Sequence, residues 1–178
     1  MLAKAEWAHL IPHQGTMCLL DEVIEFTAET IRARTDSHRR VDHPLRSNGI
    51  LRAVHLCEYG AQAMAVHGAL LAREAGMAAA PGFLVSLREV SFTLARIDDL
   101  AGPLEVFGER LLGSESSWQY AFRIEHAAVE IAAGRAAVMC ASVLLAFASS
   151  GQDPQRIGSQ GIRHDLISST CAGHRRQR

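Results

Sequence analysis

The stretch that most constrains the fold runs from Leu51 to Gly76, because it contains no proline and is apolar on almost every side. Its Ala, Leu, Val and Met content favours a helix, and Arg73 followed by Gly76 is typical of a helix C-terminus. Since the apolar residues are not confined to one stripe, we expect the helix to be buried on most sides. Small residues such as Gly60 would let a sheet approach its backbone closely.

Segments that resemble strands flank this helix on both sides. Before it, apolar residues around Val23 and Ile31 predict two adjacent strands joined by a tight turn. After it, four long segments predict antiparallel strands, with a bend at 128–134: residues 82–96, 103–113, 118–127 and 132–148. One helix with strands on either side indicates an α+β fold whose sheet wraps around the helix. The edges of such a sheet need a partner, so a dimer is expected.

Length and composition exclude several classes of protein. The 178 residues suit one folded domain over 1–148, followed by a polar tail at 149–178 that we expect to be disordered. The formal net charge of −1 gives no electrostatic footprint for nucleic acid or for an anionic membrane surface. The sequence has no 18-residue apolar run, no CxxC pair and no signal-peptide core at its start. These features predict a reduced, cytoplasmic protein.

Glu58 is a carboxylate within the otherwise apolar helix. An ionised carboxylate on a buried face is costly unless it is paired or hydrogen-bonded. Gln62 lies four residues later, on the same face, where its amide could orient the carboxylate. Alternatively, Glu58 lies at an exposed edge of the helix and pairs with Arg52. The residues alone leave both interpretations open.

Three histidines are candidate bases near neutral pH. His38 and His43 lie in the polar, basic loop at 37–49, which is either exposed or lines a site. The alternative is that both are solvated loop residues. His13 lies in a turn near the start of the chain, where it is either a further candidate or a residue that hydrogen-bonds its own turn.

The remaining motifs argue against other chemistries. The chain has no phosphate-binding glycine loop, no GxSxG sequence and no HExxH sequence. No metal site is predicted, since the closest loop histidines lack a carboxylate cluster. Cys57, beside Glu58, is interpreted as a small hydrophobic residue rather than a nucleophile.

Three segments resemble the 3-hydroxyacyl-acyl-carrier-protein dehydratases. IPHQGTMCLLDEVIEF at 11–26 resembles their N-terminal signature, a Pro-His pair before an apolar strand that ends in Asp. EYGAQA at 58–63 is similar to their helix motif, and residues 82–106 are similar to a later strand and turn. The resemblance spans residues 10–147. HPLR at 43–46 and EYGAQAMAVHGAL at 58–70 most resemble the divergent branch associated with aryl-polyene and xanthomonadin-type pigment clusters.

The resemblance implies a hot-dog fold, in which an antiparallel sheet wraps around one long central helix and two subunits pair. It also implies loss of water from a 3-hydroxyacyl thioester to give a trans-2-enoyl thioester. The substrate would be carried on the phosphopantetheine arm of an acyl carrier protein, with no other cofactor. In the family, a loop histidine removes the Cα proton and an acidic residue on the partner's helix assists departure of the hydroxyl.

His43 and Glu58 match these two catalytic positions. Gln62 would support Glu58, and His38 or His13 are supporting or alternative residues. Burial is expected to raise the pKa of Glu58 towards the role of a general acid. The loop reads HPLR from position 43, in place of the family's His-Phe-Pro-Gly.

Two alternatives share the same fold. One is a thioesterase that activates water with the helix carboxylate. The other is a non-catalytic, acyl-binding subunit that completes a heterodimeric dehydratase, and the altered loop keeps this alternative open. The dimer is therefore either a homodimer or a heterodimer with a related hot-dog subunit. Six arginines could attract an acidic carrier protein or could be ordinary solvated charges: Arg32, Arg34, Arg39, Arg40, Arg46 and Arg52.

Overall fold

The computed structural model describes residues 1–79, 81–114 and 117–140, which form one long helix packed against one antiparallel sheet. The helix is α1 (Leu56–Glu74), and the strands are β1 (Leu2–Ala3), β2 (Glu22–Phe26), β3 (Thr30–Thr35), β4 (Gly82–Phe92), β5 (Leu104–Gly113), β6 (Ser117–His126) and β7 (Val129–Cys140). Their order in the sheet is β1-β2-β3-β5-β6-β7-β4. The α+β prediction is confirmed. The tail expected at 149–178 and the last part of the final strand segment, 141–148, lie outside the described residues.

Helix α1 packs closely against the sheet, and ten of its nineteen residues are buried. The ring of Phe122 in β6 fills a slot between Gly60 of the helix and Gly134 of β7. A Cβ atom on either glycine would lie 2.7 Å from this ring. The predicted close approach through small residues is therefore confirmed at Gly60. Gly68, by contrast, faces open space, so its lack of a side chain serves no contact.

The helix starts later than the sequence predicts. Residues 51–53 bridge to a neighbouring loop: Ala53 N–H donates to the Ala95 carbonyl at 3.0 Å and Ile97 N–H to the Leu51 carbonyl at 2.9 Å. Because of these bonds, residues 51–53 are not helical. The α-helix begins only after a short 3₁₀ turn at 53–55. At the other end, Gly76 has a φ of +68°, as expected for a glycine that terminates a helix.

Two further local predictions differ from the structure. Residues 17–20 look like a strand in sequence but do not join the sheet, because the Gln62 side chain bonds the backbone of Met17 and Leu19. The bend predicted at 128–134 is displaced. The chain reverses at Ala127 and Ala128, which both have positive φ, and the residues that follow already pair in β7.

Among the described residues, strand β4 lies at one end of the sheet and pairs only with β7. It carries large apolar side chains that are exposed: Phe83 at 56%, Leu84 at 43%, Val85 at 45% and Leu87 at 39%. Since neighbouring residues of a strand point to opposite faces, both faces of β4 are open and apolar. Within the described residues, no helix has both the length and the apolar character needed to span a membrane.

Candidate active site

Glu58 lies in the first turn of α1, and its side chain is 31% exposed. Gln62, one turn later and fully buried, donates from Nε2 to Glu58 Oε1 at 2.8 Å and to the Met17 carbonyl at 2.8 Å. Its Oε1 accepts the Leu19 N–H at 2.8 Å. Because a backbone N–H can only donate, the orientation of the Gln62 amide is fixed. The predicted role of Gln62 in orienting Glu58 therefore agrees with the geometry.

His13 reaches the same carboxylate from the N-terminal segment, with its Nε2 atom 3.3 Å from Glu58 Oε1. The His13 side chain is 28% exposed, much like that of Glu58. Burial raises the pKa of Glu58, but Gln62, His13 and the nearby charge of His55 outweigh it, so the pKa lies below its ordinary value. The expectation that burial would raise this pKa is wrong, because it neglected the donors around the carboxylate.

His43 belongs to a second, buried cluster. Its Nε2 atom lies 2.9 Å from the Tyr59 hydroxyl, and that hydroxyl lies 3.0 Å from Ser37 Oγ. His43, Tyr59 and Ser37 are each at most 3% exposed. The Leu45 N–H donates to His43 Nδ1 at 3.2 Å. Both ring nitrogens of His43 are thus engaged by protein groups.

The Leu45 N–H also fixes the direction of the hydrogen bonds in this cluster. Since Nδ1 of His43 accepts, the proton of the neutral ring is on Nε2, which donates to Tyr59. Tyr59 in turn donates to Ser37. Burial, together with the charges of Arg40 and Arg46, lowers the pKa of His43 from 6.5 to about 4. Burial raises the pKa of Tyr59 to about 12, so the cluster is uncharged at neutral pH.

His38 is also buried but contacts neither cluster through its ring. Its Nε2 atom lies 3.3 Å from the Leu100 carbonyl, and its Nδ1 atom has no hydrogen-bond partner among the described residues. Burial lowers its pKa. The backbone carbonyl of His38 accepts a hydrogen bond from Arg46, which also donates to the carbonyls of Arg40 and Gly49. Arg46 therefore stabilises the loop.

The structure brings together only some of the predicted residues. His13, Glu58 and Gln62 form one cluster, which we call the Glu58 cluster. His43 lies in the other, the Tyr59 cluster, with Tyr59 and Ser37. Neither Tyr59 nor Ser37 was predicted from the sequence as part of a site. The available signal for Tyr59 was its position directly after Glu58, as one of only two tyrosines in the chain.

Most of the six candidate arginines are engaged within the chain. Arg32 pairs with Glu105 and Glu25, Arg34 with Glu22, Arg39 with Asp36 and Arg46 with Asp98, while Arg40 donates to the Thr16 carbonyl. Ordinary paired charge therefore accounts for most of this set. Arg52, which directly precedes the 3₁₀ turn that leads into α1, is exposed.

Comparison with known proteins places the chain in a family. The sequence profile of the ApeP-like family, described as ApeP dehydratase, matches residues 5–149. The chain belongs to this dehydratase family. This match confirms the resemblance to a divergent branch of the dehydratases. All five predicted site residues lie within the matched range, and their roles stay predictions. No curated protein matches the chain in sequence.

Solved structures agree on the hot-dog fold. One is the dehydratase heterocomplex ApeI:P from Xenorhabdus doucetiae, with a TM-score of 0.71 and 19% identity over 82% of this chain and 97% of that chain. Another is a hypothetical thioesterase with coenzyme A from Streptococcus pneumoniae, with a TM-score of 0.53 and 12% identity over 78% of this chain and 96% of that chain. At these identities the likeness shows the fold alone.

A groove of about 490 Å³ on the outer face of the sheet is a separate feature. Its lining includes Arg32, Phe107 and Arg123, which alternate along their strands with residues that face α1. Arg123 stacks over Phe107, with its guanidinium carbon 3.8 Å from the ring centroid. The arginines here pair with glutamates, so the groove offers no free positive charge for an acidic ligand. The Glu58 cluster therefore remains the candidate site.

Proposed function

We propose that this chain takes part in the dehydration of 3-hydroxyacyl thioesters on an acyl carrier protein, giving trans-2-enoyl thioesters. The observation that carries the proposal is the Glu58 carboxylate, held in the first turn of α1 by Gln62 and His13 while about a third of its side chain stays exposed. A carboxyl group that is both fixed and accessible suits proton transfer to or from a bound substrate. Membership of a dehydratase family supports this reaction class.

The position of Glu58 also suits a thioester. The N-terminus of a helix carries partial positive charge. A thioester carbonyl bound there would be polarised, which acidifies the adjacent Cα–H. Glu58 would then lie beside the Cα–Cβ bond, where its protonated form can donate a proton to the β-hydroxyl. The Cβ–O bond breaks and water leaves, and the Cα=Cβ double bond forms as the base takes the Cα proton.

His43 is the base in the first version of this proposal. It is neutral at pH 7, as a base must be, but its only lone pair accepts the Leu45 N–H. To take the Cα proton, His43 must release the Leu45 N–H and turn the freed lone pair of Nδ1 towards the substrate. Rearrangement of the loop at 43–46 on substrate binding is therefore part of this version.

The second version assigns the base to a partner. Because both nitrogens of His43 are engaged, we propose as the alternative that this chain supplies Glu58 and a related hot-dog subunit supplies the histidine. The open, apolar β4 edge offers a surface on which such a subunit could pair. The ApeI:P structure is a heterocomplex by its description, which makes a related subunit the first partner to test.

The test is to incubate the full chain, alone and with a co-expressed related subunit, with a 3-hydroxyacyl thioester, and to follow enoyl product and free thiol. Loss of enoyl product in both Glu58→Gln and His43→Ala supports the first version. Loss only in Glu58→Gln supports the second. Thiol release without enoyl product indicates a thioesterase, and retained acyl binding with neither product indicates a binding subunit. Either result contradicts dehydration.

Two additions sharpen this experiment. Glu74→Gln removes an exposed carboxylate from the far end of α1 and should leave product formation unchanged.

A second comparison tests whether the chain recognises the carrier protein itself. It sets a carrier-protein thioester against the same acyl group on free pantetheine. A preference for the carrier-bound substrate that is reduced in Arg52→Glu supports a docked carrier protein, whereas equal rates contradict it.

A further inference from the structure

The cluster at Glu58 binds the two oxygens of its carboxylate unequally. Oε1 accepts from Gln62 and lies 3.3 Å from His13 Nε2. Oε2 has no hydrogen bond from any described residue. Because a carboxylate oxygen with two neighbouring donors has little remaining capacity to accept, the oxygen that is available to a substrate is Oε2.

His13 is held in place by contacts other than the one with Glu58. Its neighbour Gln14 donates from its side chain to the carbonyls of Ala8 and Ile11, at 3.1 and 2.8 Å. Ile11 is buried in the core. The following 3₁₀ turn, at 15–17, is bonded to Gln62 through the Met17 carbonyl. The segment is therefore expected to keep its position when the imidazole is replaced.

We propose that His13 is a positioning residue that acts through Glu58: it anchors Oε1 and keeps Oε2 turned towards the substrate. This inference rests on the proposed dehydratase role of Glu58 but does not depend on which subunit supplies the base. The Nε2 atom of His13 faces Oε1 at 3.3 Å, so replacing the imidazole removes a group that favours the ionised form of the Glu58 carboxyl.

Few other groups around Glu58 can change the pKa of its carboxyl. On its own helix, Gln62 is neutral and does not titrate. His55, in the turn before α1, adds a smaller charge effect without a hydrogen bond to the carboxylate. His13, from the N-terminal segment, is the ionisable group that touches it. The variant His55→Gln therefore separates a general charge effect from the specific contact.

The first test measures protonation without a substrate. The full chain is labelled with ¹³C at the glutamate carboxyl carbons, and the Glu58 signal is assigned by its absence in Glu58→Gln. In His13→Gln we expect the titration of Glu58 to move to higher pH, towards that of an ordinary glutamate. His55→Gln should produce a smaller shift, and His9→Gln, an exposed histidine of the same segment, none. An unchanged titration in His13→Gln overturns the proposal.

The second test uses the reaction, measured with whatever subunit the protein requires. If His13 acts through Glu58, the limb of the pH profile of kcat/KM that reports Glu58 moves in His13→Gln by the same interval as the NMR titration. A loss of rate at all pH values with an unmoved limb points to a purely structural role and contradicts the proposal. Should the wild-type complex dehydrate no substrate, the proposed function fails, whereas the titration still decides the role of His13.

Discussion

Glu58 and Tyr59 are consecutive residues of α1, yet they lead to two different kinds of polar cluster. Their side chains leave the helix about 100° apart. The Glu58 cluster is partly exposed and contains ionisable groups in contact, and one carboxylate oxygen is left open. The Tyr59 cluster is buried, uncharged and closed at both nitrogens of His43. The Glu58 cluster therefore has the properties of a reactive site, and the Tyr59 cluster has those of a structural hydrogen-bond network.

The largest effect that separates the two clusters should be on activity. Replacing Glu58 with Gln keeps the shape and the hydrogen bond from Gln62 but leaves a side chain that can neither take up nor release a proton. Since positioned acid–base groups contribute about 10²- to 10⁴-fold, we expect turnover to fall by that range. Because the side chain is partly exposed, the midpoint of urea unfolding should change little. A large loss of stability with turnover retained would reverse the comparison.

The next effect is the pH dependence of stability that comes from His43. Its pKa falls from 6.5 to about 4 on folding, so the unfolded chain binds more protons between these values. Stability should therefore fall as the pH drops from 6.5 to 4, by about 3 kcal/mol from this residue, and its contribution should level off below pH 4. Urea unfolding across this range measures the loss. His38 and His67, whose pKa values are also lowered, contribute in the same direction.

The variant His43→Gln isolates the contribution of His43, because the other two histidines remain. Its stability should vary less steeply with pH than that of the wild type. Glu58 differs in its pH window: its lowered pKa stabilises the fold at higher pH, and this contribution is lost as the pH falls through its folded pKa. If His43→Gln retains the full wild-type slope, His43 is not the buried neutral group described above.

The third effect concerns Tyr59 itself. Tyr59→Phe would leave the Nε2–H of His43 buried without an acceptor, which costs about 1–3 kcal/mol. Tyr120→Phe is the comparison variant, since the Tyr120 hydroxyl lies 2.9 Å from Nδ1 of buried His67. There the tyrosine donates, because His67 Nε2 already donates to the Thr27 carbonyl at 2.9 Å. We expect both variants to lose similar stability in urea unfolding. If Tyr59→Phe is as stable as the wild type, the Tyr59 cluster is not a fixed support.

The smallest effect is at the end of the Tyr59 cluster. Ser37→Ala removes the acceptor of the Tyr59 hydroxyl and should cost about 1 kcal/mol. In the double variant with Tyr59→Phe, the Ser37 change should add almost nothing, because its partner is already gone. Unfolding free energies of the two single variants and the double variant measure this coupling. Additive losses would mean that Ser37 and Tyr59 act independently.

The sequence predicted the elements of the fold better than it predicted the site. Apolar composition identified α1 and the strands, because burial of an apolar face is a local property of the chain. Spacing also identified Gln62 as a partner for Glu58, since residues four apart on a helix are neighbours. The errors at Leu51 and at residues 128–134 arose where backbone hydrogen bonds to distant segments determined the conformation.

The two clusters could not be predicted in this way. Tyr59 meets Ser37 and His43 across 22 and 16 residues, and His13 meets Glu58 across 45. No periodicity relates such positions, because they are brought together only when the N-terminal segment and the loop pack onto α1. The direction of the Glu58 pKa was wrong for the same reason: burial could be inferred from the sequence, but the donors at its carboxylate could not.

Strand β4 has a consequence for how the protein must be made in a cell. The run from Phe83 to Leu87 is apolar except for Ser86 and has neither charge nor proline. Its outer backbone edge has no strand partner among the described residues. Such segments nucleate intermolecular β-aggregates when they stay uncovered. Arg88 and Glu89 follow directly, and charged residues beside an apolar strand oppose its aggregation. If a related hot-dog subunit covers β4, as proposed above, we expect co-expression of that subunit to raise the soluble yield of this chain.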